Sequence, residues 1–378
     1  MTPMDSLSEQ VQGHRIVTLR DLEGLTQVEL ARTLGVSQGF VSQFEKGSRP
    51  VPDEVAARAA EVFELPIEFF HVPAAASGVA TFRKNSTATV RDEKRILALH
   101  GEAARLFAAA SERSGYRTAD FDGAVVDDVE ETAANLRSML GVDVDVPILN
   151  ATRALERLGV GVVASLDPAG ASSDHTGVSR PSRAVKRPLV AVIADQPGDR
   201  YRFTLAHELA HVLYDRDRTT PTGGVRSAAE KKAHGFAGAF MLPAAAMKDR
   251  VGESLTLHGY LRIKAEFGAS VGAIIARARA LRLISEQRHR SLQIQLSSQG
   301  WRKNEPVEVA AESPLLLAQA VEHGISSDPA VVSVAVGLSR TLVERWTGFD
   351  SGPSVHSGKV IPLRRAEHGL DGRPAAAK

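Results

Sequence analysis

Two histidines four residues apart, with a glutamate directly after the first, form the stretch of this sequence best suited to chemistry: His207-Glu208-Leu209-Ala210-His211. On a helix, positions i and i+4 share a face, so His207 and His211 can grip one metal ion together. Glu208, one residue further round, can reach a water on that ion without being a ligand. This HExxH spacing predicts a zinc site with His207 and His211 as ligands and Glu208 as the general base. Phe203, Ala206, Leu209, Val212 and Leu213 leave the helix little exposed face, so its histidines need partners.

A catalytic zinc takes a third protein ligand and keeps one position open. Ser227-Ala228-Ala229-Glu230 opens a second helix, whose apolar stripe is Ala233, Phe236, Ala237, Phe240 and Met241. Glu230 falls on that stripe, where an acid is costly unless paired or metal-bound. Ser-x-x-Glu is equally a capping box, so spacing alone leaves ligand and cap open. His234 stands four residues on, as an alternative ligand, a partner of one, or neither. Asp215 and Asp217 read as solvated, although one could orient a ligand imidazole. An oxyanion would need a donor besides the metal, for which Tyr201, Tyr214, His175 and Arg200 are unranked candidates.

The elements before this helix have to position it. Apolar periodicity predicts helices from Arg91 to about Ser114, from about Val126 to Leu140, and from Ile148 to Leu158. Val160 to Leu166 and Leu189 to Ala194 read as strands, with another around Thr176 to Ser179. Helices, a small sheet and then the HExxH helix suit peptide hydrolysis, because an edge strand can bind an extended peptide.

The first 72 residues carry a different pattern. A helix from near His14 breaks at Gly24. A second starts at the cap Thr26 and stops at Gly35, and a third starts at the cap Ser37 and ends near Gly47. Two short helices joined by Gly35-Val36 form a helix-turn-helix whose later helix can enter a major groove. Leu25-Thr26-Gln27, Leu30-Ala31, Leu34-Gly35-Val36-Ser37, Val41-Ser42, Phe44-Glu45 and Gly47 resemble the phage Cro and lambda-type repressor (Xre) family. The resemblance implies that Gln27, Ser37, Gln38, Ser42 and Gln43 face double-stranded DNA, with Lys46 and Arg49 near phosphates. Residues 1 to 72 hold six Lys/Arg against eleven Asp/Glu, a net of −5. Phosphate contacts dominate DNA affinity, so so acidic a module should bind weakly as a monomer, and a homodimer would double its contacts.

Arg202-Phe203-Thr204-Leu205-Ala206-His207-Glu208-Leu209-Ala210-His211, then Glu230-x-x-Ala233-x-x-Phe236-Ala237 and Met241-Leu242-Pro243, resemble the ImmA/IrrE metallo-endopeptidases. That resemblance implies a zincin-like fold, Zn2+ as cofactor and Glu230 as the third ligand. The substrate it implies is a repressor or antitoxin-like protein, such as another Xre-type repressor. The sequence departs from the family at Ala210, where glycine is frequent, and at His234, where asparagine is.

The fold expected is mainly α with a small β-sheet (α+β). An all-α helix-turn-helix domain at 12–72 is followed by a linker at 73–90, which includes Phe82-Arg83-Lys84. A zincin-like metallopeptidase domain at 91–250 comes next. Its helical extension at 251–310 is itself helix-turn-helix-like, capped at Ser270, with Leu292 to Leu296 read as a strand or wing. That extension should pack on the catalytic domain rather than touch DNA. Two more helices are expected in 311–348, before a disordered tail at 349–378. With no cysteine among 378 residues, disulfides, Cys-ligated zinc and thiol nucleophiles are excluded. A hydrophobic fraction of 43%, a net charge of +1, no signal pattern and no long apolar run point to a cytoplasmic chain without membrane partners. The expected function is a DNA-binding regulator with a zinc endopeptidase domain. The alternative is a regulator whose metal-binding domain is a structural or sensing module without proteolysis.

Overall fold

The computed structural model describes residues 11–73, 81–84, 89–167, 175–218 and 227–350, and the expected tail falls outside them from 351 onward. Four helices and a 3-10 turn come first: α1 (Gly13–Leu22), α2 (Gln27–Leu34), α3 (Gln38–Glu45), α4 (Asp53–Val62) and the turn Ile67–Phe70. The Thr26 hydroxyl accepts from the Glu29 amide while the Glu29 carboxylate accepts from the Thr26 amide, a complete capping box. Gly35, at φ 68°, lets the chain leave α2 in the left-handed conformation, and the Ser37 hydroxyl caps α3. Leu30, Ala31, Leu34, Val41 and Phe44 are buried between the helices.

A four-residue strand, β1 (Thr81–Lys84), precedes α5 (Val90–Arg113), α6 (Val129–Met139) and α7 (Ala151–Arg157). Then come β2 (Gly161–Val163), β3 (His175–Ser179) and β4 (Leu189–Val192), and the sheet order is β1-β3-β4-β2. β2 lies parallel to β4, while β3 runs antiparallel to both β4 and β1. Successive side chains alternate across this sheet. Val190 and Val192 join a core with α8 (Gly198–Tyr214) and α9 (Ala228–Met241), whereas Val178, Leu189 and Ala191 join one with α5.

The second of these cores runs without a break from α5 into the first four helices. One buried ion group ties them together. The Arg15 guanidinium donates to both carboxylate oxygens of Glu102 at 2.7 and 3.0 Å, and its Nε donates to the Phe69 carbonyl. Arg105 reaches the same carboxylate at 2.6 Å.

After α9 come α10 (Ala244–Arg250), α11 (Gly259–Phe267), α12 (Val271–Ala280) and α13 (Glu286–Ser298). Ser270 caps α12, and Ile274, Ile275 and Ala278 sink into the core around α8 and α9, so the extension packs on the same side of the sheet as those helices. The stretch Leu292 to Leu296 is helix, not the expected strand or wing. Leu292 and Leu296 share a face in either structure, but a strand would also bury Ile294, which is 63% exposed. The Ser285 cap, accepting from the Arg288 amide, starts the helix.

Three helices, not two, close the described residues: α14 (Leu316–Gly324), α15 (Pro329–Val336) and α16 (Arg340–Thr347). Asp328 caps α15, and Gly337 ends it in the left-handed conformation. They return to the first core: Leu317, Ala320, Val321, Val332 and Val343 are buried there beside α5. The segment expected as a linker is likewise not all linker, because residues 81–84 pair with β3. No described helix is long and apolar enough to cross a membrane.

Candidate metal centre

The helix α8 begins where an extended segment crosses it. A methyl on Gly198 would lie 2.4 Å from the Val309 carbonyl oxygen, so only glycine fits under that crossing. Two carboxylates anchor the segment. Glu305 accepts from the Lys264 ammonium and the Val271 amide, and Glu312 accepts from the Ala151 and Thr152 amides and pairs with Arg202. Asp199 completes the buried Lys264 group at 2.5 Å. The first turn of α8 is therefore fixed by charge at both flanks before its second half reaches the site.

Two turns on, the Nε2 atoms of His207 and His211 lie 3.2 Å apart, with the rings edge to face at 74°. Glu230 arrives from the first turn of α9, its Oε2 3.2 Å from His207 Nε2 and its Oε1 3.4 Å from His211 Nε2. The three ligand atoms fall within 4.8 Å of one another, and all three residues are buried. Ser227 does cap α9, its hydroxyl accepting from the Glu230 amide at 3.3 Å. The Glu230 side chain goes to the histidines instead of closing the box, so half the cap and a metal-capable carboxylate coexist.

The protons of this cluster reflect its charge. Burial opposes ionisation of Glu230, but hydrogen bonds to His207 and His211 hold its carboxyl far below the usual range. Burial also disfavours charge on His211, yet the bonds to Asp215 and Glu230 outweigh it and push the imidazole up to about 10. Asp215 Oδ2 lies 2.6 Å from His211 Nδ1, which turns Nε2 toward the cluster and assigns Asp215 the orienting role that sequence left open between two residues. Asp217 is exposed and pairs with Arg183.

Glu208 is 1% exposed, and its Oε2 accepts from the Ser179 hydroxyl at 2.8 Å. Burial pushes this carboxyl up, against the pull of His211, His207 and Ser179. β3 is pressed onto α8 here. A methyl on Gly177 would lie 2.7 Å from Thr204 Cγ2 and 2.9 Å from Glu208 Oε1, so close approach requires glycine. The sequence marks this strand but neither residue as functional; Gly-x-Ser on one face of a short strand is the available signal.

A cavity of about 990 Å3 opens beside the cluster. Thr176, Phe203, Thr204 and His234 line it, as do Trp301 and Arg302. His234 is outside the ligand group, its ring centroid 6.4 Å from that of His207 and 5.0 Å from that of Phe203. Arg200 also lines the cavity and donates to the Arg302 carbonyl. Tyr201 is buried against Thr152, and Tyr214 packs on Phe236 and under the Lys232 ammonium, so neither faces the cavity. The His175 side chain lies outside the described residues.

On the N-terminal helices, Gln38, Gln43, Lys46 and Arg49 are exposed, while Gln27 and Ser42 are half-buried and Ser37 serves as the α3 cap. A relay orders this face. Gln38 donates to Gln27 Oε1 at 2.7 Å, Gln27 donates to Glu45 at 2.7 Å, and Arg20 closes it on Glu45 at 2.5 Å. Phe40, which sequence reasoning passed over, is 39% exposed beneath the Arg49 guanidinium.

Comparison with known proteins bears on both regions. The IrrE N-terminal-like domain of the M78 peptidases matches residues 155–279, and a helix-turn-helix family matches residues 16–70. An HTH-type transcriptional regulatory protein of Pyrococcus furiosus is 40% identical over 58 residues, 15% of this chain and 18% of that protein. The HTH-type transcriptional regulator PrpR of Mycobacterium tuberculosis is 38% identical over 63 residues, 17% of this chain and 13% of that one. The similarity thus spans less than a fifth of either relative. No solved structure matches the chain. The chain joins a helix-turn-helix domain of the Xre type to a domain of the IrrE-like M78 peptidase family.

Proposed function

We propose that this protein is a DNA-binding transcriptional regulator carrying a zinc-dependent endopeptidase. The observation that carries the reading is the buried cluster of His207, His211 and Glu230 with Glu208 beside it. Two imidazole nitrogens and one carboxylate oxygen suit Zn2+, and the fixed Nδ1 of His211 matches the way ligand histidines are oriented. When bound, zinc would polarise the scissile carbonyl and the attacking water.

The chain's own groups do the rest. Glu208, held by Ser179 and kept out of bulk water, takes the water's proton and returns it to the leaving amine. Its raised affinity for protons suits a group that must accept one and then release it. A metal site serving structure alone has no use for a buried carboxylate next to its ligands, and this favours peptide hydrolysis over a structural or sensing role. α3 offers Gln38, Gln43, Lys46 and Arg49 to the major groove of an operator-type site, as a dimer given the acidity of the module. The substrate is a repressor or antitoxin-like protein, a class that includes other Xre-type repressors.

Metal content and cleavage test this together. Wild-type protein should carry about one zinc per chain, and His207→Ala and Glu230→Ala should lose it. Glu208→Gln should keep zinc and lose cleavage of the target protein. Protein that takes up no zinc at neutral pH would end the enzyme reading.

A further inference from the structure

β3 carries the residues that grip the catalytic helix. Ser179 bonds Glu208, Gly177 leaves the room that Glu208 and Thr204 occupy against the strand, and Thr176 lines the cavity. One side of β3 is paired to β4. Its other side would be the free edge of the sheet, were it not paired to β1, which belongs to the connection between the helix-turn-helix and α5. β1 runs antiparallel, with Thr81 opposite Ser179, Phe82 opposite Val178 and Lys84 opposite His175.

Neighbouring strands lie about 4.8 Å apart, so the backbone of β1 passes directly alongside the stretch that holds Glu208. That is the position an extended peptide would take if it added to β3 by backbone pairing. The occupant is easy to dislodge. It is four residues long, and its register is broken between Phe82 and Lys84, so few ladder bonds hold it.

We propose that the outer edge of β3 is the docking edge for the segment to be cleaved, and that β1 fills it until an extended protein segment replaces it strand for strand. The inference rests on the endopeptidase reading and gives it a substrate class: an unstructured stretch able to pair antiparallel to β3, not a folded surface. It also explains how such an enzyme stays idle, since its own chain occupies the peptide's place.

The test uses the full chain and a fluorescein-labelled synthetic peptide with the sequence of residues 79–86, Val-Ala-Thr-Phe-Arg-Lys-Asn-Ser, in a Glu208→Gln background that prevents cleavage. Successive amides in a strand point to opposite sides, so the double variant Thr81→Pro/Phe82→Pro must remove one ladder donor. It should bind the peptide at least ten-fold more tightly than the parent, and the bound peptide should protect β3 amides from hydrogen exchange. A control peptide with the same two prolines should not bind. An independent measurement needs no strand variant: saturating peptide should speed exchange of residues 81–84 in the parent while 175–179 stay protected. Equal affinity for parent and variant, or exchange at 81–84 that ignores the peptide, would overturn the proposal. So would a zinc-dependent cut between residues 81 and 84 of the unsubstituted chain, which would make β1 a substrate. Because these readouts need no turnover, strand exchange in a protein that cleaves nothing would support the docking edge and remove only the endopeptidase reading.

Discussion

The Ser179 hydroxyl donates to Glu208 Oε2 at 2.8 Å, so a residue of the sheet sets the direction of the helix carboxylate that we propose as the general base. Without it, the Glu208 carboxylate keeps its burial but loses a bond that favours the charged form. Ser179→Ala should therefore leave zinc content unchanged and lower kcat about ten-fold. The acid limb of the pH–rate profile should move to higher pH, because the proton is then harder to remove from Glu208. Titration of peptide cleavage between pH 5 and 8 checks this, and an unchanged limb would show that Ser179 only packs.

Asp215 acts on the other side of the cluster. His211→Gln would remove a ligand, but Asp215→Asn keeps the site and weakens only the acceptor that fixes the His211 ring. Zinc affinity should fall by roughly 10- to 100-fold, read by competition with a chelating dye. In chelated protein the same pair gives a pH-dependent stability with a definite sign. The folded-state pKa of His211 is raised from 6.5 to about 10, so its contribution is complete below pH 6.5 and is lost as pH rises through 10. The Tm of the chelated protein should fall between pH 7 and 10, and less so in Asp215→Asn. Zinc binding runs the opposite way, strengthening with pH as the imidazoles give up protons.

Which of these relationships were legible beforehand follows from their range along the chain. Thr26, Gly35 and Ser37 act on amides within a few residues, and His207 and His211 are one helical turn apart, so sequence announces them. Glu230 was ambiguous because a cap and a ligand need the same spacing, and only the turn of its side chain toward the histidines separates the two. Ser179 and Glu208 are 29 residues apart, and nothing local to either implies the other. β1 was hidden for the same reason, since four residues in a polar, alanine-rich connection become a strand only by finding β3. α13 is ambiguous in sequence because Leu292 and Leu296 fit both periods, and the cap at Ser285 is the deciding local signal.

The union of the two regions makes a stability prediction that is asymmetric. Glu102 is 3% exposed and holds both Arg15 and Arg105; burial would raise its pKa, but the two guanidiniums hold it at about 2. Glu102→Ala leaves Arg15, 1% exposed, without its carboxylate, and should cost about 3–5 kcal/mol in urea unfolding. Arg15→Met should cost less, because Glu102 keeps Arg105 at 2.6 Å. Equal losses would mean that the two arginines do not share the charge. Since the depressed pKa belongs to a carboxylate, this contribution is present above the unfolded value and disappears as pH falls toward 2.

On the N-terminal helices, reading and anchoring should separate by salt. Gln38 spends one amide hydrogen on Gln27, leaving its carbonyl oxygen and a second hydrogen free to meet a base edge. Gln38→Ala should cost about 1–3 kcal/mol of discrimination between operator and unrelated duplex, with the salt dependence unchanged. Lys46 is exposed at the end of α3, where it would contribute charge only. Lys46→Ala should weaken both duplexes alike and make the slope of log K against log salt shallower by about 1. Fluorescence anisotropy on the promoter of the protein's own gene, repeated at several salt concentrations, measures both quantities. Should Gln38→Ala weaken both duplexes equally, Gln38 is positioning α3 through Gln27 and the bases are read elsewhere on the helix.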